Sequence, residues 1–579
     1  MWIKEKRVKL GIFLIILLTG VFLGGVIIYY SNGVVTPGET NAINTFYNSD
    51  KMEVALFYNL SETVENATDV FIRWWNKPET NEYYFFLPES MRDKKLYWIF
   101  SKKQDIYING SKIEEYSIFN LAEGEYSVRI EEQEKETYIM NVMYSSPVAT
   151  FFFETESGAL DFLHESKENR ETGKYLLLNA DGKLENAGLI RNIHGRGNNA
   201  WVEYEKKSYQ VTLEEKASLL SMPQSRKWLL ISNAPDDTLM RNKTAYTISE
   251  DLGFEFTPKM EYTEVYANGN YLGLYCLTEK VEIDKERVDI RDLEKEMEKL
   301  NNNIDFSTCE IFMEEQGRLY STKGYRIENQ PADISGGYLL ELELLDRYGL
   351  EASGFITSRM QGVVFKSPEY ASYEQVSYIA NLYQDFEDAI YSKNGYSPYT
   401  GRHFTDYIDV DSFASKYLLE ELVKNLDASY TSQFFYKPDG SISDKFFAGP
   451  VWDYDKAIAA YGITEAGIDL HIPEQMYVST QKDPGDIWYG LCQHESFMNV
   501  VKEKYKLVLL DSIKKITEVT IPETKEGIYK SAKSNMIRWN TYAHLESIEE
   551  RVKYYDEKIE EQKEFLLKRM EFLKNEWGI

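Results

Sequence analysis

Residues 425–455 read NLDASYTSQFFYKPDGSISDKFFAGPVWDYD, the most informative stretch of the chain. Two aromatic runs, Gln433–Lys437 and Lys445–Gly449, flank the turn residues PDG, which predicts strand, turn and strand. A turn between these runs would place Asp427 opposite Asp453, and antiparallel neighbours lie about 5 Å apart. We therefore expect carboxylates to converge at one end of the sheet, where a cation such as Mg²⁺ would relieve their repulsion.

Length and charge limit what the protein can be. At 579 residues the chain is too long for one ordinary compact domain, so we expect two or three. Its formal net charge of −29 argues against a general nucleic-acid binder, because a phosphate backbone is captured by a surplus of Lys and Arg. An acidic field is compatible with basic protein partners. We therefore expect no nucleic acid among the partners.

The N-terminus carries an almost uninterrupted apolar run from Leu10 to Tyr30, preceded by several basic residues. A run of about 20 residues is long enough to cross a bilayer. The basic flank predicts that residues 1–9 are cytoplasmic and that the body lies outside the cytoplasm. A cleaved signal peptide is the alternative, although no clear cleavage site follows. We expect a single-pass cell-membrane anchor over residues 10–30.

The rest of the chain divides by its residue patterns. Residues 31–50 are expected to be a linker, and the short aromatic runs of 51–146 predict a small all-β module of sandwich type. Residues 147–579 mix strand and helix patterns and are mostly helical from about 497, so the fold class is α+β. Helices are predicted over Asp237–Leu252, Tyr370–Tyr391, Asp411–Lys424 and Glu550–Trp577, with Asp284–Asn303 as a solvated helix or insertion and a hairpin over Glu261–Leu277.

Further motifs precede the paired acids. In chain order they are HGRGNNAW from His194, KKSY from Lys206, LMRN from Leu239, NGNYLGLY from Asn268 running into Thr278-Glu279, and GGYLLE from Gly336. With the two acidic segments, this ordered set resembles the spore coat protein H (CotH) kinase family over about residues 147–579. The resemblance implies an atypical protein-kinase-like fold that uses ATP and Mg²⁺.

The resemblance also assigns roles to the acidic half of the site. Asp427 matches the catalytic Asp of the family and Asp453 its metal-binding Asp. Asp455 is a candidate second metal ligand, and Ser432 stands where it could assist the metal ion. The alternatives are that Asp427 is a turn residue at the end of a helix and that Asp455 is an ordinary hydrogen-bonded loop acid.

Four residues are candidates for binding the nucleotide phosphates. Arg196, between two glycines, can present backbone N–H groups and a guanidinium to phosphate. Lys207 is the candidate for the phosphate-pairing lysine, with Glu279 as its acidic partner. Arg241 either adds positive charge to the site or anchors its helix to a carboxylate.

The chain departs from the family pattern beside Lys207. Relatives typically carry KKPYRIK where this chain has KKSYQVT, so Gln210 and Thr212 stand at two basic positions. This difference weakens the expectation of tight ATP binding and leaves a pseudokinase open.

The leading hypothesis is a membrane-anchored, extracytoplasmic protein kinase. It would transfer the γ-phosphate of ATP to Ser/Thr hydroxyls of envelope or spore-coat proteins, with basic or Ser-rich segments as substrates. One alternative is a catalytically weak scaffold for envelope or coat assembly. A metal-dependent hydrolase is another, although no histidine lies near the acids in the sequence. The sequence leaves the oligomeric state open.

Overall fold

The computed structural model describes residues 39–58, 70–131, 137–314, 317–464, 467–480 and 486–579. The expected anchor at 10–30 and its cytoplasmic flank at 1–9 lie outside these residues. Across the described ranges, no helix is both long and apolar enough to span a bilayer. The chain forms two compact units: unit 1 holds the described residues up to His194 together with Glu264–Gly273, and unit 2 holds Gly195–Thr263 and Leu274–Ile579.

Unit 1 is built mainly from β-strands. Its elements are α1 (Asn41–Tyr47), β1 (Val54–Tyr58), β2 (Val70–Arg73), β3 (Trp75–Asn76), β4 (Glu82–Leu87), β5 (Tyr97–Phe100), β6 (Ile106–Ile108), β7 (Ser111–Ile113), β8 (Gly124–Ile130), β9 (Tyr138–Tyr144), β10 (Ala149–Thr155), α2 (Asp161–Glu165), β11 (Arg170–Leu178) and β12 (Leu184–Arg196), which ends in unit 2. One sheet has the order β2-β1-β5 and a second the order β3-β4-β9-β8-β6-β7. The described part of the expected all-β module therefore consists of strands in two sheets.

Part of the expected linker is a helix. Residues Asn41–Tyr47 form α1, whose N-terminus is capped by the Thr40 side chain accepting from the Ile43 N–H. Ile43 and Phe46 are buried, and they pack in one apolar cluster with Phe71. The linker prediction is wrong for these residues because the buried apolar side chains and the cap stabilise a helix.

Unit 2 contains the remaining strands and α-helices. They are α3 (Asn199–Glu203), β13 (Ser208–Ala217), β14 (Ser225–Ile231), α4 (Arg241–Asp251), β15 (Met260–Ala267), β16 (Asn270–Glu279), α5 (Leu293–Leu300), β17 (Ile311–Glu314), β18 (Ser321–Tyr325), β19 (Tyr338–Glu343), α6 (Leu345–Tyr348), β20 (Gly354–Ile356), β21 (Gly362–Ser367), α7 (Tyr373–Ile390), α8 (Val410–Val423), β22 (Gln433–Lys437), β23 (Phe447–Ala448), α9 (Ile487–Cys492), α10 (Glu495–Lys504), α11 (Leu510–Lys515), α12 (Ile521–Arg538) and α13 (Ile548–Trp577). The tip of the β15–β16 hairpin belongs to unit 1.

Two sheets organise unit 2. Strands β13, β14, β16 and β15 neighbour one another in that order, and a seven-stranded sheet has the order β17-β18-β20-β21-β19-β22-β23. Every pairing in the seven-stranded sheet is antiparallel. The predicted helices are found, although only Leu293–Leu300 of the charged segment 284–303 is helical, beginning at the N-cap Asp292.

The predicted hairpin forms β22 and β23, but its register differs from the expected one. Phe435 lies opposite Ala448, where the expected register would place Lys445, and the ladder has two residue pairs. The second strand stops before Gly449-Pro450, since proline has no N–H to donate to a ladder. The ladder therefore does not extend to Asp427 and Asp453, and the register prediction is wrong.

Helix α8 is buried on all sides rather than on one face. Every residue from Phe413 to Val423 is buried, including the charged Lys416, Glu420 and Glu421. A buried charge is tolerated when it is paired and hydrogen-bonded, and each of these side chains has such a partner. The helix therefore lies in the interior of unit 2, immediately before Asp427.

Candidate active site

Asp427 lies in a short turn directly after α8. Lys424 caps the C-terminus of the helix with a left-handed φ of 47°, and the Asp427 carbonyl accepts from the Tyr430 N–H at 3.0 Å. The turn is held by side chains from elsewhere in unit 2. Trp488 Nε1 donates to the Ala428 carbonyl at 3.0 Å, and the Tyr477 hydroxyl donates to the Leu426 carbonyl at 2.9 Å.

The Trp-Asp-Tyr-Asp segment is fixed mainly through Tyr454. Its N–H donates to Asn242 Oδ1 at 2.8 Å, and its hydroxyl donates to Glu420 Oε1 at 2.6 Å. Lys416 completes this buried group, with Nζ 2.8 Å from Glu420 Oε1 and 3.1 Å from the Tyr454 oxygen. Tyr454 thus connects the segment to α8, the same helix that precedes Asp427.

Asp453 and Ser432 meet in a strained backbone arrangement. The Ser432 hydroxyl donates to Asp453 Oδ2 at 3.4 Å, and the two residues have φ values of 57° and 66°. Left-handed backbone is costly for residues other than glycine and clusters at functional sites. This geometry aims the Asp453 carboxylate toward the Ser432 hydroxyl.

The site acids affect one another's pKa values although the ladder does not bring them together. Burial and the neighbouring Asp453 raise the pKa of Asp427. Burial raises the pKa of Asp453, while Arg196 opposes that rise. The pKa of Asp455 is raised well above its ordinary value by burial, by Asp453 and by Asp236. The acids therefore influence one another through irregular loops rather than through strand pairing, and their roles at a shared site stay predictions.

The donor set fits a hard divalent cation. Asp427 and Asp453 supply carboxylate oxygens that repel one another, and Ser432 adds a hydroxyl. Within the described ranges, no group of three or more His, Cys, Asp or Glu side chains is arranged to hold a metal ion. Mg²⁺ is commonly held by one or two carboxylates plus water and substrate phosphates, so a pair of acids is sufficient. The role of Asp455 as a second metal ligand stays a prediction.

Arg196 is the uncommitted cation of the site. Its guanidinium lies over the Trp452 ring, 4.9 Å from the centroid, and forms no hydrogen bond or ion pair with any residue that the structure describes. Burial lowers the pKa of Arg196, and Asp453 is the largest opposing influence. An arginine with free donors beside a carboxylate can take a phosphate through its fork of N–H groups.

Lys207 and Glu279 do not form the expected pair. Lys207 Nζ donates to the carbonyls of Trp201 and Tyr204 at 2.5 and 2.6 Å, at the end of α3. Glu279 accepts from the Lys259 N–H at 2.8 Å, and its Oε1 lies 3.7 Å from Arg287 Nε. The predicted Lys207–Glu279 ion pair is wrong because each side chain is engaged by other partners.

Arg241 is an anchor within the protein. Its side chain is 3% exposed, its Nε donates to the Ile458 carbonyl at 3.1 Å, and its two terminal nitrogens pair with Asp236 and Asp237 at 3.2 and 2.6 Å. These contacts neutralise the guanidinium and consume its donors. Of the two roles that the sequence left open, the structure supports the anchoring of the helix.

Other cations near the acids were not singled out from the sequence. The positive charges of Lys456 and Arg347 both lower the pKa of Asp427, so they act on its carboxylate. Lys366 pairs with Glu341 at 3.3 Å, and Glu341 influences the pKa of Arg196. Lys456 directly follows the Asp455 motif, which is a sequence signal that could have identified it. Arg347 and Lys366 come from distant segments and have no such signal.

The comparison with protein families identifies the chain. No curated protein matches it. The family described as CotH kinase protein matches residues 193–573, a span that contains every site residue discussed above. The predicted resemblance is confirmed: the chain belongs to the CotH kinase protein family and is a kinase-like protein.

Proposed function

We propose that this protein transfers the γ-phosphoryl group of ATP to the hydroxyl of a Ser or Thr residue on another protein. The observation that carries the proposal is the arrangement of Asp427 and Asp453 as a half-buried, mutually repelling pair beside the uncommitted guanidinium of Arg196. Phosphoryl transfer requires a group to orient the acceptor, a metal ligand, and cations over the transferring charge. The three residues supply these three requirements.

The residues divide the chemistry between them. Asp427 orients the acceptor hydroxyl and accepts its proton as the bond from oxygen to the γ-phosphorus forms and the bond from that phosphorus to the leaving oxygen of ADP breaks. Asp453, assisted by Ser432, would hold Mg²⁺, which supplies positive charge against the phosphate oxygens. Arg196, with Lys456 and Arg347 near the acids, stabilises the negative charge that spreads over the phosphoryl oxygens.

The proposed acceptor and the proposed location of the kinase are based on the sequence alone. The acceptor is proposed to be a basic or Ser-rich segment of an envelope or coat protein, because the chain carries a net charge of −29. The proposed place of the kinase is outside the cytoplasm, held by the apolar run at 10–30.

Phosphate transfer tests the proposal. Purified protein is incubated with γ-labelled ATP, Mg²⁺ and basic Ser-rich peptides, and incorporated label is counted. We expect transfer by the wild type and a loss of at least about hundredfold in Asp427→Asn, in line with the removal of a general base. Asp181→Asn, at an exposed acid, is the matched control and should transfer normally. Absence of transfer by the wild type, or equal transfer by Asp427→Asn, would contradict the proposal and favour the scaffold.

A further inference from the structure

A cavity of about 170 Å³ lies in unit 2, where the start of α8 meets β22 and β23. It is smaller than the pockets of about 300–1,000 Å³ that usually hold whole small-molecule ligands. A single side chain of a partner protein is therefore an occupant of suitable size. Aromatic rings and carboxylates dominate the lining, and no lysine or arginine that the structure describes is part of it.

The aromatic part of the lining is a wall of packed rings. Tyr436 on β22 and Phe447 on β23 stack with their ring centroids 5.2 Å apart and an interplanar angle of 16°. Phe256 meets the same Tyr436 ring edge-on, with centroids also 5.2 Å apart, and Phe254 lines the cavity beside it. The face of an aromatic ring carries negative charge, so such a wall attracts a guanidinium or ammonium group.

Two of the carboxylates that line the cavity, those of Glu255 and Asp409, form no ion pair within the described part of the chain. The Tyr436 hydroxyl donates to Glu255 Oε2 at 2.7 Å, and Asp409 Oδ1 accepts from the Ser412 N–H at 2.8 Å as the N-cap of α8. Burial raises the pKa of Tyr436, and the charges of Glu255 and Asp409 raise it further. Both carboxylates thus act on the same phenol.

The charge of the lining selects a cation. The N-terminus of α8 would by itself favour an anion, but the Asp409 carboxylate already occupies the capping position. Asp411, the third acid of the lining, is paired with Lys504 at 2.8 Å, which leaves Glu255 and Asp409 unneutralised. A guanidinium suits such a site better than an ammonium, because its plane stacks on aromatic rings and its fork of N–H donors matches carboxylates.

The cavity lies near the candidate site along the chain. Gly449 and Pro450 line it, and Asp453 follows Pro450 by three residues, which span at most about 11 Å. An extended peptide covers the same distance with about three residues. An acceptor segment with its Ser at the acids is therefore long enough to reach the cavity with a residue a few positions away.

We propose that this cavity binds an arginine side chain of the acceptor protein, with the guanidinium against the aromatic wall and its N–H groups on Glu255 and Asp409. The proposal rests on the proposed function and adds to it a subsite that selects arginine over lysine at a fixed distance from the acceptor Ser.

Peptide binding tests this subsite separately from phosphate transfer. The full-length protein is titrated with Ala/Gly-rich peptides that carry one central Ser and a single Arg at successive positions, and with matched Lys and citrulline peptides. Glu255→Gln and Asp409→Asn remove the two charges while keeping an acceptor for Tyr436 and a good N-cap. Glu261→Gln, at an exposed acid outside the cavity, is the matched control, and thermal unfolding reports whether each variant folds.

The expected pattern depends on both the peptide and the variant. The wild type should bind the Arg peptide best at one position, and about tenfold more tightly than its citrulline counterpart, with the Lys peptide between them. Glu255→Gln and Asp409→Asn should each remove most of that preference, whereas Glu261→Gln should keep it.

Three results would overturn the subsite: equal binding of Arg and citrulline peptides by the wild type, folded cavity variants that keep the preference, or an equal loss in Glu261→Gln. Free arginine that binds as tightly as the best peptide would assign the cavity to a small-molecule cation and overturn the acceptor assignment. Phosphate transfer without any preference for arginine rejects the subsite alone. The expected binding pattern without any transfer rejects the proposed function alone.

Discussion

The guanidinium of Arg569 on α13 donates to the backbone carbonyl of Glu421 on α8 at 2.7 Å, and both side chains are fully buried. Arg569 also pairs with the Glu421 carboxylate and donates to the carbonyls of Pro473 and Gln475 at 2.8 and 2.7 Å. The C-terminal helix is thereby tied to the helix that precedes Asp427. Arg569, which is far from Asp427 in the sequence, therefore helps to hold the helix that precedes this candidate site residue.

Removing the arginine should destabilise unit 2. We expect Arg569→Met to lower the free energy of unfolding by about 3–5 kcal/mol, because Glu421 is left as a buried, uncompensated charge. Lys568→Met is the control: it breaks the neighbouring Lys568–Glu564 pair, which is largely exposed, and should cost less than about 1 kcal/mol. Urea unfolding measures both variants, and equal effects would contradict the role of the buried pair.

The hydroxyl of Tyr454 should matter for both stability and turnover. Tyr454→Phe removes the donor to Glu420 and leaves a buried carboxylate oxygen with fewer partners, which should cost about 1–3 kcal/mol. Because Tyr454 lies between Asp453 and Asp455, the looser segment should also lower kcat for phosphate transfer. Tyr320→Phe, at an exposed tyrosine, is expected to change neither quantity. A stable Tyr454→Phe protein with wild-type kcat would show that this hydrogen bond does not position the segment.

Substitutions of Arg196 and Lys207 should have different effects: the first should weaken nucleotide binding and the second should lower thermal stability. Arg196→Met removes a guanidinium with free donors and should weaken Mg-ATP binding about tenfold to hundredfold, as expected for a charge-assisted hydrogen bond. Lys207→Met removes two hydrogen bonds to carbonyls at the end of α3 and should lower Tm while ATP binding by the folded protein is unchanged. Calorimetric titration and thermal unfolding measure the two effects. The reverse pattern would restore Lys207 as the phosphate-binding lysine.

Glu387 should make stability depend on pH. It is fully buried on α7, where it accepts from Thr357 Oγ1 at 2.7 Å and from Gln384 Nε2 at 2.9 Å, and burial raises the pKa of its carboxyl to about 7. Since the folded pKa exceeds the unfolded value, the stabilisation is complete below the ordinary value of 4.5 and is lost as pH rises through about 7. Arg359, 4.0 Å away, opposes the loss only in part.

The expected result is a wild-type free energy of unfolding that falls between pH 5 and pH 8. Glu387→Gln should remove up to about 3 kcal/mol of that fall, because the amide does not ionise. Glu374→Gln, at an exposed acid in the first turn of the same helix, should keep the wild-type slope. Urea unfolding at several pH values decides between them, and identical slopes for the wild type and Glu387→Gln would refute the prediction.

Local chemistry made much of the fold predictable. The strand Gln433–Lys437 and the long helices follow from aromatic runs, apolar spacing and turn residues that act over a few neighbours. The all-β character of the described part of 51–146 follows for the same reason. The register of the hairpin could not be predicted in this way, because it depends on where Gly449-Pro450 ends the second strand.

The acidic half of the candidate site could be named from the sequence, whereas the basic half could not. Asp427 and Asp453 lie at the two ends of one short segment, residues 427–453, so local sequence signals were enough to relate them to each other. The cations come from positions far apart in the chain. Only folding distinguishes Arg196, which is uncommitted, from Lys207 and Arg241, which hydrogen bonds and ion pairs already occupy.

The sequence by itself therefore determined the family, the α+β class and the two carboxylates, because motifs, periodicity and short spacings are local. Only the tertiary structure decided how those carboxylates are held and which cations face them. Buried charges such as Lys416, Glu420 and Glu421 look like surface residues in the sequence. They are stable inside because partners from distant segments, Tyr454 and Arg569, offset the cost of removing them from water.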